Sequence, residues 1–118
     1  MTPEEFFADS LLGRAVFERL GEVLRDVDDV DVAATKSQVA FRRRRGFAYL
    51  WLPGMYLRNP QAEVVLSVSL PRAVDSPRWK EVAHPSAKIW QHHLEIRSVA
   101  DVDDEVVAWL AEAAEAAG

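Results

Sequence analysis

Four consecutive arginines, Arg42 to Arg45, form the densest run of one charge in the chain. A guanidinium is a planar fork of donors that stays charged, and it suits phosphate or carboxylate in two-point pairing. Two or three of these groups converging on one anion, with Lys36 near the base of the same strand and Arg58 further on, would make an anion site of Lys36, Arg42, Arg43, Arg44, Arg45 and Arg58. Phe47, Tyr49 and Trp51 follow at once. Cationic groups beside aromatic faces are the combination that holds single-stranded nucleic acid. Two competing expectations need no ligand. The arginines are a solvated hairpin tip that keeps a sheet edge from aggregating, or they pair with the acidic helices of the same molecule. A solvated tip predicts that replacing Arg43, Arg44 and Arg45 with serine leaves stability nearly unchanged.

The second chemical group is histidine. His92 and His93 are adjacent, so on a regular strand they point to opposite faces and cannot share one metal ion. His92 falls on the face of Trp90, Leu94 and Ile96, where a hydrogen-bonded core histidine is expected. The other expectation is a pocket of Tyr49, Trp79, His84, Trp90, His92 and His93 with histidine as proton carrier. His84 and His93 with Glu95 lack any recognised ligand spacing, so no metal is expected. Asp26, Asp28, Asp29 and Asp31 lack the glycine and terminal glutamate of a calcium loop. Asp101, Asp103, Asp104 and Glu105 suit a helix N-terminus, where the dipole favours negative charge. The chain has neither a Gly-x-Ser-x-Gly elbow nor a phosphate-cradling glycine loop, and Ser67 and Ser69 have no histidine nearby in sequence. No cofactor is expected, and the balance leans away from an enzyme.

Charge is sorted along the chain. Residues 31–60 carry one acid and six bases, whereas residues 1–30 carry eight acids and three bases and residues 91–118 seven acids and one base. With a net charge of −5, bulk charge would not recruit an anion, so a local patch must. The 118 residues suffice for one domain over 1–118, with 49 % hydrophobic residues and four tryptophans for its core. The absence of cysteine excludes disulfides and thiolate chemistry and fits a cytoplasmic protein. The acidic start does not read as a signal peptide. The apolar run from Phe47 to Leu57 is broken by Pro53 and Gly54 and is too short to span a bilayer, so no membrane is expected.

These side chains need a scaffold, and the apolar spacing describes one. Thr2-Pro3-Glu4-Glu5 is a capping box opening a short helix. Ser10 caps a longer one, with Leu12, Val16, Leu20, Val23 and Val27 at helical spacing until Asp28-Asp29. Strands are expected over 30–34, 38–42, 47–52, 63–70 and 89–97. The second must turn near Arg43, because continued alternation would bury a lone arginine. Val64, Leu66, Val68 and Leu70 face in, and Ser67 and Ser69 face out. Residues 71–86 read as a connection with one helical turn over 76–79, and 101–114 as a closing helix. The fold class is α+β: a two-layer domain with an antiparallel sheet of four to five strands, the N-terminal and C-terminal helices on one face. Met55, Tyr56 and Leu57 lie in a loop, where apolar residues either fold back or meet a partner, as in a homodimer.

Four stretches resemble a family of small bacterial domains known only as a domain of unknown function. They are Thr35 to Phe41, Phe47 to Pro53, Trp90 to Ile96, and Asp101 to Glu105 leading to Trp109-Leu110. Its neighbours include the YdhG-like and MmcQ/YjbR-like domains. The resemblance implies a bacterial origin and an α+β fold. The MmcQ/YjbR-like relatives are predicted DNA binders and one YdhG-like relative is described as an iron chaperone; neither role carries over to a numbered residue here. The leading functional expectation is therefore a non-enzymatic module that binds an anionic ligand, nucleic acid or acidic partner through the basic hairpin. The alternatives are a small-molecule or enzymatic pocket of histidines and tryptophans, and a dimeric interaction protein or metal chaperone.

Overall fold

Thr2 accepts from the Glu5 backbone and Glu5 returns the bond to Thr2, closing the expected capping box on α1 (Pro3–Phe6). Ser10 then caps α2 (Leu11–Val23), accepting from Gly13 N–H at 2.9 Å while donating to Glu63 at 2.5 Å. α2 stops at Leu24, short of the aspartates, and Asp29 makes the turn into the sheet with a positive φ of 62°. The computed structural model describes all 118 residues.

The sheet has six strands in the order β1-β2-β3-β4-β6-β5, all antiparallel: β1 (Asp31–Ala34), β2 (Val39–Arg42), β3 (Gly46–Trp51), β4 (Val64–Leu70), β5 (Glu81–Ser86) and β6 (Ile89–Ile96). The α+β class and the two-layer design are as expected; the strand count is higher. The extra strand, β5, lies where the sequence reads as a connection. Five of its six residues are exposed, so neither face imposes apolar alternation, and it is held by its backbone pairing to β6. α3 (Asp104–Ala116) packs across β3 and β4, and α2 packs against β3 and the 3-10 turn Val99–Asp101. No helix is long and apolar enough to cross a membrane.

The core lies between this helical layer and the sheet, and β4 is its centre. Val64, Leu66, Val68 and Leu70 face the helices as the alternation predicts, with Val16, Leu20, Val106 and Leu110 fully buried against them. Two glycines of α2 make the packing testable. A Cβ at Gly21 would meet nothing, whereas one at Gly13 would lie 2.5 Å from the buried Phe7 ring. Gly21→Ala should therefore stabilise the protein by about 0.5–1 kcal/mol through helix propensity. Gly13→Ala should destabilise it, because overpacking of about 1–3 kcal/mol exceeds that gain. Urea unfolding of both variants checks the contrast.

Candidate functional site

The face of the sheet away from the helices has no second layer, yet its central strand is not exposed. Val65, Ser67 and Ser69 of β4 are buried, with Ser67 only 2 % exposed. Larger side chains from the neighbouring strands cover them. The register explains which ones: Tyr49 lies opposite Ser67, Ser67 opposite His93, and His93 opposite Glu81, in one row across β3, β4, β6 and β5. Trp51 and Gln91 stand in the adjoining rows, opposite Val65 and Ser69.

These residues form a connected polar network. Trp51 Nε1–H donates to Ser67 Oγ at 2.9 Å, and Ser67 Oγ lies 2.6 Å from His93 Nδ1. The Ser69 hydroxyl donates to Gln91 Oε1. Trp51 meets the His93 ring edge-on at 6.2 Å and the Tyr56 ring at 6.3 Å. Together they line a cavity of about 460 Å³ whose walls are Ser37, Gln38, Tyr49, Trp51, Tyr56, Ser67, Gln91 and His93. A second cavity of about 200 Å³ adjoins it, lined by Trp51, Pro53, Leu57, Val65, Lys80, Glu81 and His93. Trp51 and His93 are the wall between the two. Burial holds the His93 pKa below its ordinary 6.5, against the opposing pull of Glu81 and with a small contribution from His92.

The pocket suggested by composition divides into three places. Tyr49 and His93 line the open-face cavity. His92 and Trp79 lie on the helix side, their rings 4.8 Å apart, with Trp109 4.3 Å from Trp79. His92 is fully buried, as a core histidine should be. Its Nε2 accepts from Val74 N–H at 3.0 Å and its Nδ1 lies 2.9 Å from the Trp90 carbonyl. His84 stacks on Trp90 at 4.0 Å on the exposed β5–β6 edge. No group of three or more histidine, aspartate or glutamate side chains has the geometry to hold a metal ion. Ser37, Gln38 and Gln91 are not marked as site residues by the sequence, and Trp51 is marked only as an aromatic beside the arginines. The outward alternation of Ser67 and His93 is visible in the sequence, but the register that sets them side by side across β4 and β6 is not.

The basic cluster also divides. Lys36 sits in the β1–β2 turn and Arg58 follows β3, at the sheet end where Trp51 and Tyr56 lie. Arg42 to Arg45 occupy the opposite end, roughly 20 Å of strand away. There the hairpin packs on the C-terminus of α3. Arg43 Nη1 donates to the Ala114 carbonyl at 2.9 Å, and Arg44 N–H donates to the Ala117 carbonyl at 2.9 Å. The last turn of α3 has no basic residue of its own, so the hairpin supplies the positive charge that its orphan carbonyls favour. Arg43 is thus an internal partner. Arg42, Arg44 and Arg45 are exposed and form no ion pair. Arg43→Ala should cost about 1–3 kcal/mol, as for a charged hydrogen bond to a helix end. Serine at Arg42, Arg44 or Arg45 should stay within about 0.5 kcal/mol. Thermal unfolding of the four single variants separates the two behaviours, and serine at Arg43, Arg44 and Arg45 together should lose stability through Arg43 alone.

Met55, Tyr56 and Leu57 remain half-exposed or more. They do not fold into the core; Tyr56 hangs over Trp51 and Leu57 walls the smaller cavity, so the loop forms the rim of the site.

Comparison with known proteins places the chain against a family model. The family model for a domain of unknown function, DUF5655, covers residues 4–116. No curated protein and no solved structure matches the chain. The resemblance to YdhG-like and MmcQ/YjbR-like domains has no counterpart in these comparisons. With an α+β sheet, a helical layer on one face and a match running almost from end to end, the chain belongs to the family of the domain of unknown function DUF5655.

Proposed function

We propose that this domain is a binding module for a small organic ligand, and that the open-face cavity around Trp51, Ser67 and His93 is its site. One observation carries the reading. Aromatic rings and oriented polar groups from three adjacent strands and the rim loop converge on one concavity of about 460 Å³, within the size range of small-molecule sites. A sheet that only needed protection would carry scattered charges here. Ser67 lies beneath Trp51 and His93 with its oxygen already accepting from the indole, which suits a hydrogen-bond relay rather than attack on a substrate.

The test is a fragment screen followed by ¹H–¹⁵N spectra. The expected hits move the Trp51 indole N–H and the backbone signals of Tyr49, Ser67, Gln91 and His93. Hits that map elsewhere, or none across a broad library, contradict the reading.

A second reading rests on Arg42, Arg44 and Arg45, three exposed guanidinium groups without an internal partner on a protein of net charge −5. It makes the hairpin a contact for phosphate or an acidic partner, with Lys36 and Arg58 outside it. Oligonucleotide titration at about 50 and 200 mM salt tests it, because phosphate contacts lose affinity steeply over that range. Binding that survives serine at all three positions contradicts it.

A further inference from the structure

We infer that the ligand of the larger cavity is an uncharged planar ring bearing a carbonyl oxygen, an aromatic amide or lactam, held by the N–H donors of His93 and Gln91 between aromatic walls. The inference rests on the cavity being a ligand site and adds the chemistry of its occupant.

The argument begins with one proton. Ser67 Oγ is buried and has two neighbours, Trp51 Nε1 and His93 Nδ1. The indole nitrogen is a donor only, so it gives its hydrogen to the serine oxygen. The serine hydrogen must then find an acceptor, and His93 Nδ1 is the one within reach. His93 Nδ1 is therefore unprotonated, and a neutral ring must carry its hydrogen on Nε2. That Nε2–H has no acceptor in the protein, and the ring forms part of both cavity walls. His93 consequently offers the cavity a donor, not a base.

Gln91 is oriented in the same way. Its Oε1 accepts from the buried Ser69 hydroxyl, and its amide N–H₂ has no acceptor in the protein. Both oriented groups are thus donors, so their complement is an acceptor. The lining of the larger cavity contains no aspartate, glutamate, lysine or arginine. A charged ligand would lose its hydration there with no countercharge in the wall. Tyr49, Trp51 and Tyr56 supply flat apolar faces, and rings stack on such faces.

The probes are nicotinamide, nicotinate and benzylamine: one ring size, with a neutral carbonyl, an anion and a cation. Binding is read from the Trp51 indole N–H, identified with Trp51→Phe. Nicotinamide should bind about tenfold more tightly than either charged probe, in the millimolar range of fragments. His93→Phe and Gln91→Leu should each weaken it by about fivefold or more. Using two variants guards against misfolding of either, and a wild-type-like spectrum outside the cavity is required of both. Preference for nicotinate or benzylamine at the same signals overturns the ligand class while leaving the cavity as a site. Nicotinamide binding unchanged in both variants overturns the donor assignment. Failure of every fragment at these signals removes the site itself.

Discussion

Phe47→Ala should destabilise the protein by about 3–5 kcal/mol, the cost of emptying a fully packed aromatic site. Tyr49→Ala, two residues on in the same strand, should cost within about 1 kcal/mol. Strict alternation gives the two residues one face and therefore similar effects. The ladder breaks that equivalence. Phe41 pairs with Ala48 but Arg42 pairs with Gly46, which leaves Phe47 unpaired at a bulge. An extra residue re-aims its neighbours, and Phe47 turns into the core with no exposed surface while Tyr49 stays at the cavity. A Cβ on Gly46 would collide with the Tyr49 hydroxyl, so the same bulge lets that ring lie along the strand. Urea unfolding of the two variants measures the difference directly. Equal losses would mean that the bulge does not exist.

The second large effect is at His92. His92→Ala should cost about 2–4 kcal/mol, from a buried cavity plus the loss of a partner for Val74 N–H. His92→Phe restores the volume but not the acceptor, and should still cost about 1–3 kcal/mol. The wild-type protein should also be acid-sensitive. Burial lowers the pKa of His92 and of His93 below the ordinary 6.5, although carbonyl contacts from Val68 and Trp90 oppose this at His92. The native state then binds fewer protons than the unfolded chain. Stability is fully present above about pH 6.5 and is lost as pH falls through the lowered native values. Arg72 for Glu112 and Arg78 for Asp103 hold those carboxyls below their ordinary range, so a further loss follows at still lower pH. Melting temperatures between about pH 5 and 8 should fall toward acid, and less so in His92→Phe. A flat profile would contradict the burial of both rings.

The helices and the interior strands were legible because one buried face stamps a period on them. Val64 to Leu70 shows this best, and His92 took its place in the core by the same parity as Leu94 and Ile96. β5 was not legible, since an exposed edge strand has no buried face to record. The cavity was half legible. Outward parity marks Ser67 and His93 individually, but their meeting depends on the β4–β6 register, which is set across residues 71–88 and leaves no local signal. Charge density marks the arginines without sorting them. The run reads as a ligand site, yet part of it serves the carbonyl end of α3, whose closeness to the hairpin no spacing reveals.

Adjacent in sequence and opposite in direction, His92 and His93 have different surroundings: one is buried in the core and the other lines the open-face cavity. A long-range ¹H–¹⁵N correlation spectrum of the imidazole rings at about pH 7.5 tests that division most directly, because neutral tautomers have distinct nitrogen signatures. His92 should carry its hydrogen on Nδ1, bonded toward the Trp90 carbonyl, and His93 on Nε2, which has no acceptor in the protein. A charged His93, or a hydrogen on its Nδ1, would contradict the account, because Ser67 Oγ would then accept from both rings and the Nε2–H would no longer be fixed by the serine.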